Sequence, residues 1–167
     1  MSALAEELSA SNPRGELTVV GGAAMALLYG ARPTTKDVDV YIARPAEAAL
    51  VRDAARRVAR ALKLPPDWLD DGAKGFIHGL ALGDTVFEHE ALTVRALAPE
   101  QLLAMKLCAW RDAVDFEDAR LLLSKLSGGR DDVWAQLEPY LVPGRETTAC
   151  YAFDDLWERH RDLDTPG

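Results

Sequence analysis

Two aspartates, Asp37 and Asp39, stand one residue apart in the alternating segment "KDVDVYI" (36–42). A glycine pair, Gly21 and Gly22, directly follows the β-branched run "ELTVV" (16–20). In a strand, residues i and i+2 face the same side, so the two carboxylates share a face and repel each other unless a cation lies between them. Mg²⁺ suits that arrangement, because it is held by one or two carboxylates and completed by substrate phosphates. In phosphoryl transfer a pair of such ions clamps the attacking and leaving oxygens. The glycines supply the other half. A strand–Gly-Gly–helix junction lets backbone approach a phosphate closely, and the helix start offers unpaired N–H groups and a positive dipole end. A Gly-Gly pair alone is more often tight packing, and an Asp-x-Asp alone is usually a solvated edge. One helix between the two is what makes them a candidate phosphate-and-metal site.

Other charged residues are candidates of a weaker kind. Arg32 and Lys36, just before the aspartates, either bind phosphate or balance the neighbouring acids. Lys106 lies among Leu102, Leu103, Met105 and Leu107, where an unpaired ammonium is costly; the bland alternative is a lysine that snorkels at the helix rim. Arg52, Arg56, Arg60 and Lys63 recur on one face of a predicted helix. In an acidic chain they form a positive stripe fit for a nucleic-acid backbone or an acidic partner, against the plainer reading of a solvated helix face.

The elements that must position these residues follow from periodicity. Leu4 and Leu8 mark a first helix that Pro13 ends, and 16–20 is a short buried strand. Residues 22–30 form an Ala- and Leu-rich helix that stops at Gly30. The 36–42 strand puts Asp37, Asp39 and Tyr41 on one face and Val38, Val40 and Ile42 on the other. Pro45 opens a helix over roughly 46–63, closed by Pro65–Pro66. The stretch 75–97 reads as two or three strands, including "GFIHGLALG". Helices then dominate: Pro99 to about Arg111, then 115–126, a third capped by Asp131 or Asp132 and running to about Tyr140, and 146–161. The expected fold is α/β, a small mixed β-sheet core over 1–98 with a C-terminal helical part over 99–167 packed on it and closing a cleft.

Composition narrows the function classes. The chain has 167 residues, 49% hydrophobic, enough for one sizeable core, and no apolar run long enough for a bilayer span. No signal peptide is read at "MSALAEELSASNP", so a cytoplasmic location and no membrane are expected. A formal net charge of −8 argues against a general DNA coater. Cys108 and Cys150 read as small apolar fillers, and His78, His89 and His160 have no zinc-type spacing.

The stretch "GGAAMALLYGARPTTKDVDVYI" resembles the signature of the DNA polymerase β-like nucleotidyltransferase superfamily, a Gly-Gly or Gly-Ser followed by a helix and then Asp-x-Asp. Its cadence is most similar to the AbiEii-like and MenT-like branch of toxin–antitoxin nucleotidyltransferases. "PEQLLAMKLCAWRDAVDFEDARLLL" resembles that branch's second block. Together they cover about a third of the chain. By position, the resemblance implies a phosphate loop at Gly21 and Gly22, magnesium ligands at Asp37 and Asp39, a triphosphate or catalytic contact at Lys106, and a further active-site acid at Asp118, with Asp115 as the fallback. Many members carry a third carboxylate on a neighbouring strand; Glu88 and Glu90 have the right type and parity, while solvated glutamates flanking a strand are the plainer account.

The expectation is therefore a Mg²⁺-dependent nucleotidyltransferase that moves an NMP from an NTP to an acceptor. The resemblance implies the toxin component of a toxin–antitoxin system, with tRNA 3′ ends as acceptor and a cognate antitoxin protein as partner. Two alternatives stand beside it: AMP transfer onto a protein hydroxyl, as in minimal nucleotidyltransferase antitoxins, and a catalytically silent nucleotide- or partner-binding module.

Overall fold

A computed structural model describes residues 1–10, 14–30, 38–43, 48–111, 113 and 115–164. Asp37, Arg32 and Lys36 lie outside the described residues. The fold is mixed α/β, and the chain divides into two compact units: residues 1–75 with 82–97, and residues 76–81 with 98–167.

The first unit holds a five-stranded sheet of β1 (Gly15–Val19), β2 (Val38–Ile42), β3 (Leu69–Asp70), β4 (Leu82–His89) and β5 (Leu92–Leu97). Their order is β3-β2-β1-β5-β4. β1 pairs antiparallel with β2, with Val19 opposite Val40, and parallel with β5, with Leu17 opposite Val94. The strand that leads into the glycines and the strand that carries Asp39 are therefore neighbours. Alternation on β2 holds, with Val40 and Ile42 buried and Asp39 and Tyr41 half-buried on the opposite side. The helices are α1 (Ser2–Ser9), α2 (Gly21–Tyr29) and α3 (Ala48–Leu62). Leu4 and Leu8 of α1, Val51, Ala54 and Val58 of α3, and Val19, Val40 and Val94 of the sheet are all buried. Gly30 takes the left-handed conformation (φ 59°) that closes α2.

α3 closes in an unusual way. Lys63, just past its last residue, sits at φ 56°, and Leu64 N–H donates to the Ala59 carbonyl at 2.9 Å, the six-to-one bond of a Schellman turn. That position usually belongs to glycine, since an L side chain there costs about 1–2 kcal/mol. The Trp68 indole Nε1–H donates to the Ala55 carbonyl at 3.0 Å and pins the returning chain, and Val38 N–H donates to the Trp68 carbonyl at 2.8 Å. These bonds create β3, a strand with no alternating signature of its own.

The second unit comprises α4 (Pro99–Cys108), α5 (Phe116–Leu123), α6 (Arg130–Leu137) and α7 (Glu146–Asp164). Its core includes Leu103, Leu107, Leu122, Leu137, Phe153 and Leu156. Cys108 is buried as a free thiol and Cys150 is half-buried, also free. The N-cap of α6 is Gly129; Asp132 lies inside the first turn and accepts the Gly129 N–H at 2.9 Å, so the capping acid acts from within the helix. The segment expected as a strand at "GFIHGLALG" is not one before Leu82. Fully buried Gln101 takes its place in the hydrogen-bond accounting: Oε1 accepts the Ala81 N–H at 2.6 Å, and Nε2 donates to the carbonyls of His78 and Gly79 at 3.1 Å each. A side-chain amide satisfies the backbone that a ladder would have used.

Candidate functional site

The geometry around Gly21 begins with the end of β1. Val20 is extended (φ −131°, ψ 178°), and its N–H donates to the Asp39 carbonyl at 3.0 Å, the last bond tying β1 to β2. The chain then turns sharply at Gly21, whose φ of +56° suits glycine and few other residues. From there α2 starts at once, and its first closing bond runs from Ala24 N–H to the Val20 carbonyl at 3.3 Å. The N–H groups before that point have no intrahelical acceptor, as in every helix.

Asp39 faces this junction. A Cβ built on Gly21 would lie 3.2 Å from Asp39 Oδ2, tighter than an ordinary carbon–oxygen contact. The absent side chain leaves the carboxylate room to sit close against the backbone turn. One helix end thus brings together N–H donors and a positive dipole end suited to an anion, and a carboxylate suited to a cation. Those are the two halves of a metal–phosphate complex. Gly22 follows as the second residue of α2. Among the described residues no group of three metal-ligating side chains occurs. One or two carboxylates with substrate phosphates suffice for Mg²⁺, and Asp39 is the carboxylate the described residues bring to this junction.

Glu88 and Glu90 do not belong to this place. Register puts Glu88 opposite Thr93, which is opposite Glu16 at the start of β1, whereas Asp39 is level with Val20 beyond its end. β4 is the far edge of the sheet, three strand spacings from β2. About 14 Å across and about 13 Å along separate the two backbones, beyond the reach of a shared ion. Both glutamates are exposed and, with Arg14 and His89, line a shallow depression of about 260 Å³. Arg95 shares the Asp39 face, aligned through Thr18 with Tyr41. Its Nε and Nη2 donate to the Gly83 carbonyl at 3.3 and 3.1 Å, on the side away from β2, where they steady the irregular start of β4.

In the second unit Lys106, Asp115 and Asp118 come together. Lys106 Nζ lies 2.9 Å from Asp118 Oδ2 and 3.3 Å from Asp115 Oδ1. The side chains are 11%, 7% and 3% exposed, in the order Lys106, Asp118, Asp115. The apolar helix face around Lys106 is thus explained by two carboxylates reaching it from the segment that opens α5. Arg111 completes the group and was not singled out in the sequence. Its Nε and Nη2 donate to Asp115 at 2.9 and 3.0 Å, and its backbone N–H donates to Asp115 Oδ2 at 3.1 Å. The signal was its spacing, four residues before an acid. Burial pushes the Asp115 carboxyl up, but the Arg111 hydrogen bonds and the nearby Lys106 charge outweigh it and hold Asp115 below the usual carboxylate range. Two cations against two carboxylates leave the cluster balanced, and Lys106 already has its charge matched.

The arginine stripe is also largely matched. Arg52 pairs with Asp71, which its hydrogen bond holds below the ordinary value; Arg56 pairs with Asp53 at 2.7 Å, and Arg57 with Glu7 at 2.7 Å. Only the end at Arg60 and Lys63 has no carboxylate partner among the described residues. No described helix is long and apolar enough to cross a membrane. In comparisons with known proteins, no family model and no curated protein matches the chain.

Proposed function

We propose that the protein is a Mg²⁺-dependent nucleotidyltransferase that moves an NMP from an NTP to an acceptor hydroxyl. The observation that carries this reading is the close approach at the start of α2, where Asp39 Oδ2 sits 3.2 Å from the place a Cβ on the left-handed Gly21 would take. In the proposed reaction the acceptor oxygen forms a bond to the α-phosphorus. The bond to the bridging oxygen breaks, pyrophosphate leaves, and the hydroxyl proton passes to a base. Asp39, with Asp37, would hold Mg²⁺, which neutralises phosphate charge and polarises the reacting phosphorus. The N–H groups at Gly21 and Gly22 bind the phosphates and fix their orientation.

The resemblance assigns Lys106 to the triphosphate and Asp118 to the acceptor hydroxyl. A lysine already paired with two carboxylates must exchange one of them to meet a phosphate. The same resemblance makes tRNA 3′ ends the acceptor, the chain the toxin half of a toxin–antitoxin pair, and its protein partner the cognate antitoxin.

The test is incubation with each α-labelled NTP, Mg²⁺ and total tRNA. Label is expected on tRNA with the native protein, and with Asp39→Asn a loss on the order of a hundredfold or more, as for removal of a major charge-stabilising group. Undiminished labelling by Asp39→Asn overturns the site. Label on co-purified protein instead of RNA changes the acceptor.

A further inference from the structure

We propose that the groove at the C-terminal end of α3 binds single-stranded RNA, one nucleotide unit of it at a time, through Arg60 and Lys63. The proposal rests on the reading above, in which the acceptor is RNA, and gives that acceptor a place to dock.

An open groove of about 470 Å³ lies there, lined by Arg56, Ala59, Arg60, Lys63, Leu64 and Pro66. No acid is among those residues, although the chain carries a net charge of −8. The other cations of α3 face carboxylates, Asp71 for Arg52, Glu7 for Arg57 and, at the groove's edge, Asp53 for Arg56. Arg60 and Lys63 are exposed and have no such partner among the described residues. Arg60 and Lys63 both line the groove at the end of α3 and offer it two cations. Guanidinium groups suit phosphate because their planar fork matches its oxygens.

The remaining lining is apolar. Ala59, Leu64 and Pro66 offer a floor on which the face of a base or sugar can rest, and Leu64 is 40% exposed with nothing to cover it. The volume falls in the range of small-ligand clefts, the scale of a nucleotide unit. The groove is also built in advance. One wall is the last turns of α3; the other is the turn from Lys63 to Pro66, held by the Leu64–Ala59 bond, the Trp68–Ala55 bond and the Trp68 N–H to Pro65 carbonyl bond at 3.1 Å. Lys63 is the hinge of that turn. A side chain held at φ 56°, where glycine fits better, is a local strain of the kind found at binding sites. Here the strained residue is a cation that lines the groove.

This strain supplies a clean variant. Lys63→Gly removes the cation and keeps the turn, because glycine prefers that backbone conformation. Binding of a 5′-labelled single-stranded RNA dodecamer is measured by fluorescence anisotropy over a range of salt, for the native protein and for the Lys63→Gly and Arg60→Gln variants, singly and together. Each lost phosphate contact lowers the log K against log salt slope by about 0.7 on a single strand, so the double variant should lose about 1.4. Its melting temperature should not fall below that of Arg60→Gln alone. An unchanged slope and affinity in the double variant overturn the proposal. So does a poly-glutamate peptide that displaces the RNA at equal charge concentration, or a duplex of the same length that binds as tightly as the single strand. The fate of the catalytic reading is separate. Failure of Asp39→Asn to reduce labelling sinks that reading alone, while a groove variant that labels RNA at native KM and kcat sinks the groove alone.

Discussion

Gly21→Ala tests the link between backbone and chemistry most directly. Two costs follow from the structure. An alanine at φ +56° is disfavoured by about 1–2 kcal/mol relative to ordinary backbone. The unfolded chain is also restricted by the new side chain, which returns about 0.4–1 kcal/mol. The net destabilisation should be about 0.5–1 kcal/mol, which at this chain length lowers the melting temperature by roughly 1–4 °C. The second cost is local. The new methyl group would lie 3.2 Å from Asp39 Oδ2 and force the carboxylate to shift by a few tenths of an ångström. Mg²⁺ demands near-ideal geometry at about 2.0–2.1 Å, and a misplacement of about 1 Å can cost on the order of a hundredfold. A loss of about tenfold in kcat is therefore expected, out of proportion to the stability change. Gly30→Ala is the matched control. Gly30 has nearly the same φ, 59°, but no described atom lies within 4 Å of its would-be Cβ, so it should lose similar stability and keep native turnover. Calorimetric melting and single-turnover labelling measure both quantities. Equal kinetic effects of the two substitutions would refute the argument that the carboxylate needs the missing side chain.

Three further outcomes are expected. Lys106→Met leaves Asp118 and Asp115 buried without their lysine, so urea unfolding should show a loss of about 3 kcal/mol or more; the added change Asp118→Leu should recover much of it, and a loss under 1 kcal/mol would show the lysine to be dispensable for the fold. Asp115 has a lowered carboxyl in the folded state, so its stabilisation is complete above the unfolded value of about 3.9 and fades as pH falls below it towards the folded value. The urea midpoint should therefore drop below about pH 4, and Asp115→Asn should flatten that limb; an equally steep limb in the variant would assign it elsewhere. Lys63→Gly relieves a left-handed lysine at about 1–2 kcal/mol while adding about 0.5–1 kcal/mol of chain entropy, so the melting temperature should rise slightly, and a fall of several degrees would contradict the turn geometry.

What the sequence made legible is what local chemistry determines by itself. β-branched residues before a glycine pair, a strand alternating Asp39 and Tyr41 with Val40 and Ile42, and a glycine stop after an Ala–Leu helix each state a backbone preference, and the first unit follows them through β1, α2 and β2. Asp39 beside Gly21 was foreseeable because Gly21 follows the end of β1 and Asp39 lies on the strand that pairs with it. What stayed hidden depended on partners distant in sequence. Gln101 replaces a strand at 75–81 because an amide from α4 satisfies the backbone there, and nothing in "GFIHGLALG" announces it. Glu88 and Glu90 had the right parity on their own strand, yet parity says nothing of strand order. Once β5 and β1 stand between β4 and β2, and β4 ends level with the start of β1, the glutamates sit at the opposite corner of the sheet from Asp39. The arginine stripe was incomplete for the same reason. Helical spacing correctly put Arg52, Arg56 and Arg60 on one side of α3, but Asp71 comes from a later turn, and it draws Arg52 out of the positive field. Charge counted along a helix overstates the charge a ligand meets, and the usable part is the end that the rest of the fold leaves unmatched.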